Sequence, residues 1–299
     1  MILKPDPTMV TAASRRLFGA AIELYAPMVA SAVDRNRTHE YFFVEIVGTP
    51  PASLEAHDVA NLNRLACSEA LRHCHVAAIT SLIRGALWIE ATWREFEANS
   101  LLGFAACCRS LLEAAGDTVY SLGAIPLTLA EQRHLLQSFI SGRADAVINL
   151  VDLENLLVHF SHGRKLTSEE KQLTPLQQAK RTTDYIKALE ETGASGAARL
   201  YGDLCQIGHP AKSSLDFLYG RGTHGGFIVD PSAEASGVAK IVSNYMSVLA
   251  DLPSIVFNPG LLILRVLHAF PDFPRIPELR GFSFQGAKNA KDIEACLRK

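Results

Sequence analysis

The chain of 299 residues is long enough to bury a substantial core, and with 48% hydrophobic and 20% charged residues it has a globular rather than a disordered composition. Its formal net charge of −2 gives no global argument for nucleic acid or an anionic membrane, although a local basic patch would not register in the total. The six cysteines form no C-x-x-C pair, which sets aside a zinc knuckle and a disulfide framework. No signal segment or run of eighteen apolar residues stands out, so a cytoplasmic protein without membrane contact is expected.

Residues 11–36 have helix-forming composition, and 41–47 is an aromatic, β-branched run closed by Gly48, Pro50 and Pro51, read as a strand or an extended link. A second helix is predicted over 54–75, with Ser53 as its cap and Glu55 in its first turn, where a carboxylate suits the helix dipole. Ile79, Leu82, Ala86, Ile89, Trp93 and Phe96 then recur at three- and four-residue spacing, the seam of a helix packed on other helices. Ala98, Asn99 and Ser100 supply a turn, Ser100 caps the next helix, and Gly123 and Pro126 end it after about Leu122. The two helices should form an antiparallel hairpin. The second is apolar on nearly every side, through Leu101, Phe104, Cys108, Leu112 and Ala115 on one stripe and Leu102, Ala106, Leu111 and Ala114 elsewhere, so it belongs in the middle of a bundle.

Further helices are predicted at 128–141, 144–162, 175–192, 196–208, 232–250 and 259–270. The stretch 219–226 is too glycine-rich for regular structure and reads as a loop or tight turn, and the proline-rich tail 271–277 leads to a short helix near 288–298. With no internal repeat, the architecture is an all-α helical bundle. It divides into an N-terminal helix and extended link (1–56), a bundle core (57–250), and C-terminal helices and tail packed on that core (251–299).

Three groups of side chains could carry chemistry. Arg109, Glu113 and Asp117 lie at i, i+4 and i+8 on the central helix. Taking charge out of water costs several kcal/mol per ion, roughly, unless pairing is good. The stack is therefore either a polar pin of the bundle or an arginine aimed at a phosphate or carboxylate and oriented by the glutamate behind it. Asp152, Asn155, His159 and His162 share one face of the helix at 144–162, opposite Leu153, Leu156 and Phe160, as a solvated face or as an acid–base or metal group. Their H-x-x-H spacing without a carboxylate one turn on matches no zinc or di-iron signature. Tyr201, Cys205 and His209 fall at one-turn intervals, with Pro210 placed to end their helix, so that His209 either caps the helix or handles a proton. His73 and His75 read as surface or packing residues, and the glycines at 220–226 are not followed by the G-K-[ST] of a phosphate loop.

Arg84 with Trp88 and Glu90, then Asn99, the run R-S-L-L-E from Arg109 to Glu113, and Y-x-x-L-C-x-x-x-H-P over 201–210 make a familiar set. Over roughly residues 77–215 the chain resembles a group of poorly characterised bacterial all-α proteins that look like relatives of the HEPN superfamily. That resemblance implies a HEPN-like core and a homodimer acting on RNA in a toxin or antiphage defence system, as a ribonuclease that needs no metal or other cofactor. Histidine would move protons and arginine would stabilise charge on the phosphate. Such enzymes carry R-x(4–6)-H, whereas here no arginine has a histidine at that distance and Arg199 precedes His209 with nine residues between. A site would therefore be assembled from Arg109 and Glu113 with His159, His162 or His209. The alternatives are a non-catalytic module for a nucleotide, a small ligand or a protein partner, with Asp117, Asp152, Asn155, His162, Tyr201 and Cys205 as further contacts, and a metal enzyme using Glu113, Asp117, His159 and His162.

Overall fold

The computed structural model describes residues 12–43, 55–142, 149–210, 212–230 and 232–299. It is an all-α helical bundle with one small hairpin. The first predicted helix is two, α1 (Ala12–Phe18) and α2 (Ala21–Arg35), bent by 112° where Gly19 takes φ +63°. Of the predicted strand at 41–47, only Tyr41, Phe42 and Phe43 are described, and they are not in a strand; the remainder lies outside the described residues, as does Ser53.

The helices predicted at 54–75 and across 79–96 are a single helix, α3 (Ala56–Glu97), because neither glycine nor proline stands between His75 and Ile79. It starts at Glu55, whose backbone N–H donates to the Asp58 carboxylate at 3.1 Å. Asn99 makes the turn with φ +53°, a left-handed conformation that asparagine tolerates. The Ser100 hydroxyl then accepts from the Gly103 N–H, starting α4 (Leu101–Leu122) at the predicted residue. Leu82, Ala86 and Ile89 of the α3 seam are fully buried, as are Phe104, Leu111 and Leu112 of α4. Each large side chain so buried contributes roughly 2 kcal/mol.

The helix predicted at 128–141 is broken at Gln132 into α5 (Ile125–Glu131), which Pro126 helps to begin, and α6 (Arg133–Ile140). Next come α7 (Val151–His162), a short α8 (Ser168–Leu173) capped by Thr167, α9 (Thr182–Glu191), α10 (Ala197–Gly208) and a single turn, α11 (Ser213–Asp216). The glycine-rich stretch is not merely a loop. Its flanks pair as β1 (Tyr219–Arg221) and β2 (Phe227–Val229), antiparallel with Gly220 opposite Ile228, while the glycines close the turn through the Gly222 N–H and the Gly226 carbonyl at 2.7 Å.

The helices predicted at 232–250 and 259–270 also merge, as α12 (Ala233–Leu267), with Pro253 and Pro259 inside it and one non-helical residue, Tyr245. Prolines would normally stop a helix, since each removes one hydrogen bond. Here burial against α1, α2, α3, α4 and α5 carries the chain through. By length and composition α12 could cross a membrane, but 78% of its most apolar window is buried inside the bundle. The buried Asn258 accepts from the Tyr25 hydroxyl and donates to the Gln285 carbonyl, each at 2.7 Å, which ties α2 and the C-terminal segment to α12. The tail ends in α13 (Ala290–Arg298). Helix α4 is the central element, packed by α3, α7, α9, α10 and α12.

Candidate functional site

An α-helix turns 100° per residue, so eight residues carry a side chain about 80° past two full turns. That drift separates the three charged residues of α4. Arg109 and Glu113 face α10, with Arg109 Nε 3.8 Å from Glu113 Oε1. The Tyr201 hydroxyl donates to the same carboxylate oxygen at 2.8 Å. Burial raises the Tyr201 phenol pKa, and the Glu113 carboxylate and Cys205 thiol beside it push it further. Arg109 Nε is buried without a hydrogen-bond partner, and Nη1 lies 3.9 Å from where a side chain on Gly208 would begin. Helix α10 ends at Gly208, the last residue of the helix predicted at 196–208, and His209 follows in extended backbone with an exposed side chain.

Asp117 belongs to a different group. Its carboxylate pairs with Arg84 Nη1 of α3 at 2.7 Å and accepts from Ser121. Arg84 Nη2 donates to Thr118 Oγ1 at 2.9 Å, and the guanidinium carbon sits 4.8 Å from the centre of the Phe160 ring on α7. The polar pin of the bundle is thus Arg84 with Asp117, joining three helices.

His159 is turned inward and does not share a solvated face with Asp152, Asn155 and His162. The buried side of α7 holds Leu153, Leu157 and His159; Asp152 and His162 are exposed, and Asn155 is half-buried. One imidazole nitrogen of His159, Nε2, shares a hydrogen bond of 3.0 Å with the Tyr185 hydroxyl of α9, which also accepts from the Lys180 N–H. The Tyr120 ring lies 5.4 Å from His159 and edge-on to Tyr185. His162 pairs with its neighbour Ser161. Burial, and after it the nearby Asp117 carboxylate, raises the Tyr185 phenol pKa.

The candidate residues therefore fall into two groups: Arg109, Glu113, Tyr201 and Cys205 between α4 and α10, with His209 at its edge, and His159 with Tyr185 and Tyr120 beside the Arg84–Asp117 pin. Glu113, Asp117, His159 and His162 share no neighbour: Tyr201 and Arg109 engage the first, Arg84 and Ser121 the second, Tyr185 the third and Ser161 the fourth. Among the described residues no group of three or more His, Cys, Asp or Glu is placed to hold a metal ion. Tyr185 and Tyr120 carry no local signal that would direct them to His159, since the meeting depends on how α9 and α4 pack. His75 proves to be a core residue. It is fully buried, its Nδ1 shares a 2.7 Å hydrogen bond with the Tyr41 hydroxyl, and its ring stacks on Phe273.

Compared with protein-family models, curated proteins and solved structures, the chain matches none of them.

Proposed function

We propose that the chain is a HEPN-like helical protein that binds a phosphate-bearing ligand, a nucleotide or a stretch of RNA, through Arg109. The observation that carries this reading is the state of that side chain: it is about one-third exposed, its counter-ion is 3.8 Å away, and it makes no hydrogen bond among the described residues. A guanidinium has five N–H donors in a planar fork that matches two phosphate oxygens. Glu113, itself held by Tyr201, keeps the arginine in place without saturating it. The test is fluorescence polarisation with a labelled oligoribonucleotide and a labelled adenine nucleotide. Arg109→Ala should weaken binding at least about tenfold, a loss of about 1.4 kcal/mol. Equal affinity of wild type and variant refutes the reading.

One observation favours a second reading, a metal-independent ribonuclease. Arg109 reaches the end of α10 at Gly208, so an arginine for phosphate charge lies against the residue that precedes a histidine for proton transfer, His209. Under that reading RNA is cut in the presence of a chelator, and His209→Ala abolishes cutting while the RNA still binds. Intact RNA after prolonged incubation with wild type leaves the binding function alone.

A further inference from the structure

A cavity of about 420 Å³ lies between α4, α9, α12 and the segment leading into α13. It takes no part in the Arg109 reading. Protein interiors are packed tightly enough that a hollow of this size has an identifiable cause. Here the cause is small side chains: Ala124, Ala188 and Ala287 line the space where larger residues would reach into it. The volume falls within the range of about 300–1,000 Å³ usual for small-molecule sites, and a mostly apolar lining with a few polar groups is their usual composition.

The polar groups at this cavity specify what it would take. The Tyr120 hydroxyl makes no hydrogen bond among the described residues, its ring contacts being with His159, Tyr185 and Lys180. Pro259 has no N–H, so the Ile255 carbonyl one turn earlier lacks its helical donor, and both residues line the space. The Asn289 side chain, at the mouth, does not cap α13. These are a donor–acceptor hydroxyl, an acceptor and a carboxamide, all neutral. The cation at the rim, Lys288, already donates to the Glu191 carbonyl, and the Glu191 side chain adds a negative charge. The lining thus carries one charge of each sign, with the Glu191 carboxylate also 3.9 Å from Lys187 Nζ, and it offers a carboxylate or phosphate no net attraction to offset its desolvation.

We propose that this cavity is a second binding site, for a small neutral molecule with an apolar, ring-sized body and one hydroxyl or amide group. The body packs against Val119, Ile255, Leu262 and Ile293, and the polar group donates to the Ile255 carbonyl while accepting from Tyr120. β-Naphthol, whose fluorescence reports its surroundings, is a suitable probe, with β-naphthoate as its charged counterpart. The full chain should bind naphthol saturably at one site and naphthoate at least about tenfold more weakly. Ala188→Leu, which fills the hollow, should abolish naphthol binding without lowering the melting temperature, and Tyr120→Phe should weaken it several-fold. If Ala188→Leu fails to fold, Ala287→Leu from the opposite wall gives the same measurement. Naphthol binding that is non-saturable, that survives the filling variants, or that is matched by naphthoate overturns the proposal.

Discussion

Lowering the pH should destabilise this fold through two histidines that are packed uncharged, and His75→Phe should remove most of the effect. His75 is enclosed by Tyr41, His39 and Phe273, with its Nε2 buried and unpartnered. Burial, and then the neighbouring His39 and His268, pushes its pKa down from 6.5 to about 3. His268 accepts from the Ile276 N–H, and burial together with Arg265, Arg280 and Arg275 pushes it down to about 4. Above pH 6.5 both histidines are neutral in the folded and unfolded chain alike, and the stability is fully present. As pH falls below 6.5 the unfolded chain takes up protons that the fold refuses, so stability drops until the folded pKa values are passed. At pH 5, roughly 1.5 units below the unfolded value, the loss is about 2 kcal/mol for His75, and about 1 kcal/mol for the less buried His268. Urea denaturation at pH 8 and pH 5 should therefore show a loss of about 3 kcal/mol in wild type and about 1 kcal/mol in His75→Phe. The reasoning fails if wild type is equally stable at both values, or if the variant loses as much as wild type does.

The Arg84–Asp117 pin gives a second stability prediction. Arg84→Ala leaves the mostly buried Asp117 carboxylate without its cation, and should lower stability by about 1–3 kcal/mol, the guanidinium being partly screened by solvent. Arg84→Met with Asp117→Leu should lose less than the sum of the two single changes in a double-mutant cycle. A third prediction concerns the approach of α4 to α9. A methyl group on Gly116 would lie 2.4 Å from the Tyr185 backbone oxygen, so Gly116→Ala should lower stability by about 1–3 kcal/mol in the same assay. Gly202→Ala, in a helix with nothing within 4 Å, should be neutral or stabilise by up to about 1 kcal/mol.

Local chemistry determined much of this protein without help from the fold. Ser100 starts α4 because its hydroxyl can accept a free N–H there, Gly123 follows its end, and an uninterrupted apolar surface put α4 at the centre. The seam from Ile79 to Trp93 was legible because helical spacing and burial coincide. Breakers were less informative. Pro253 and Pro259 stand inside α12 because its packing against the surrounding helices outweighs two missing hydrogen bonds, an outcome no local rule contains. The glycines at 222–226 form the tip of a hairpin whose strands come from the flanking residues.

The candidate site divides along the same line. That Arg109 pairs with Glu113 follows from one-turn spacing. That Glu113 meets Tyr201, that Asp117 turns to Arg84, and that His159 meets Tyr185 depend on which helix packs against each face of α4. Residues 4 and 8 apart look equivalent along a sequence, but a drift of about 40° per four residues carries Asp117 roughly 80° from Arg109 and against a different neighbour. The chain alone set the charged stripe on its most apolar helix; the bundle decided which of its members became a pin and which was left with hydrogen bonds to offer.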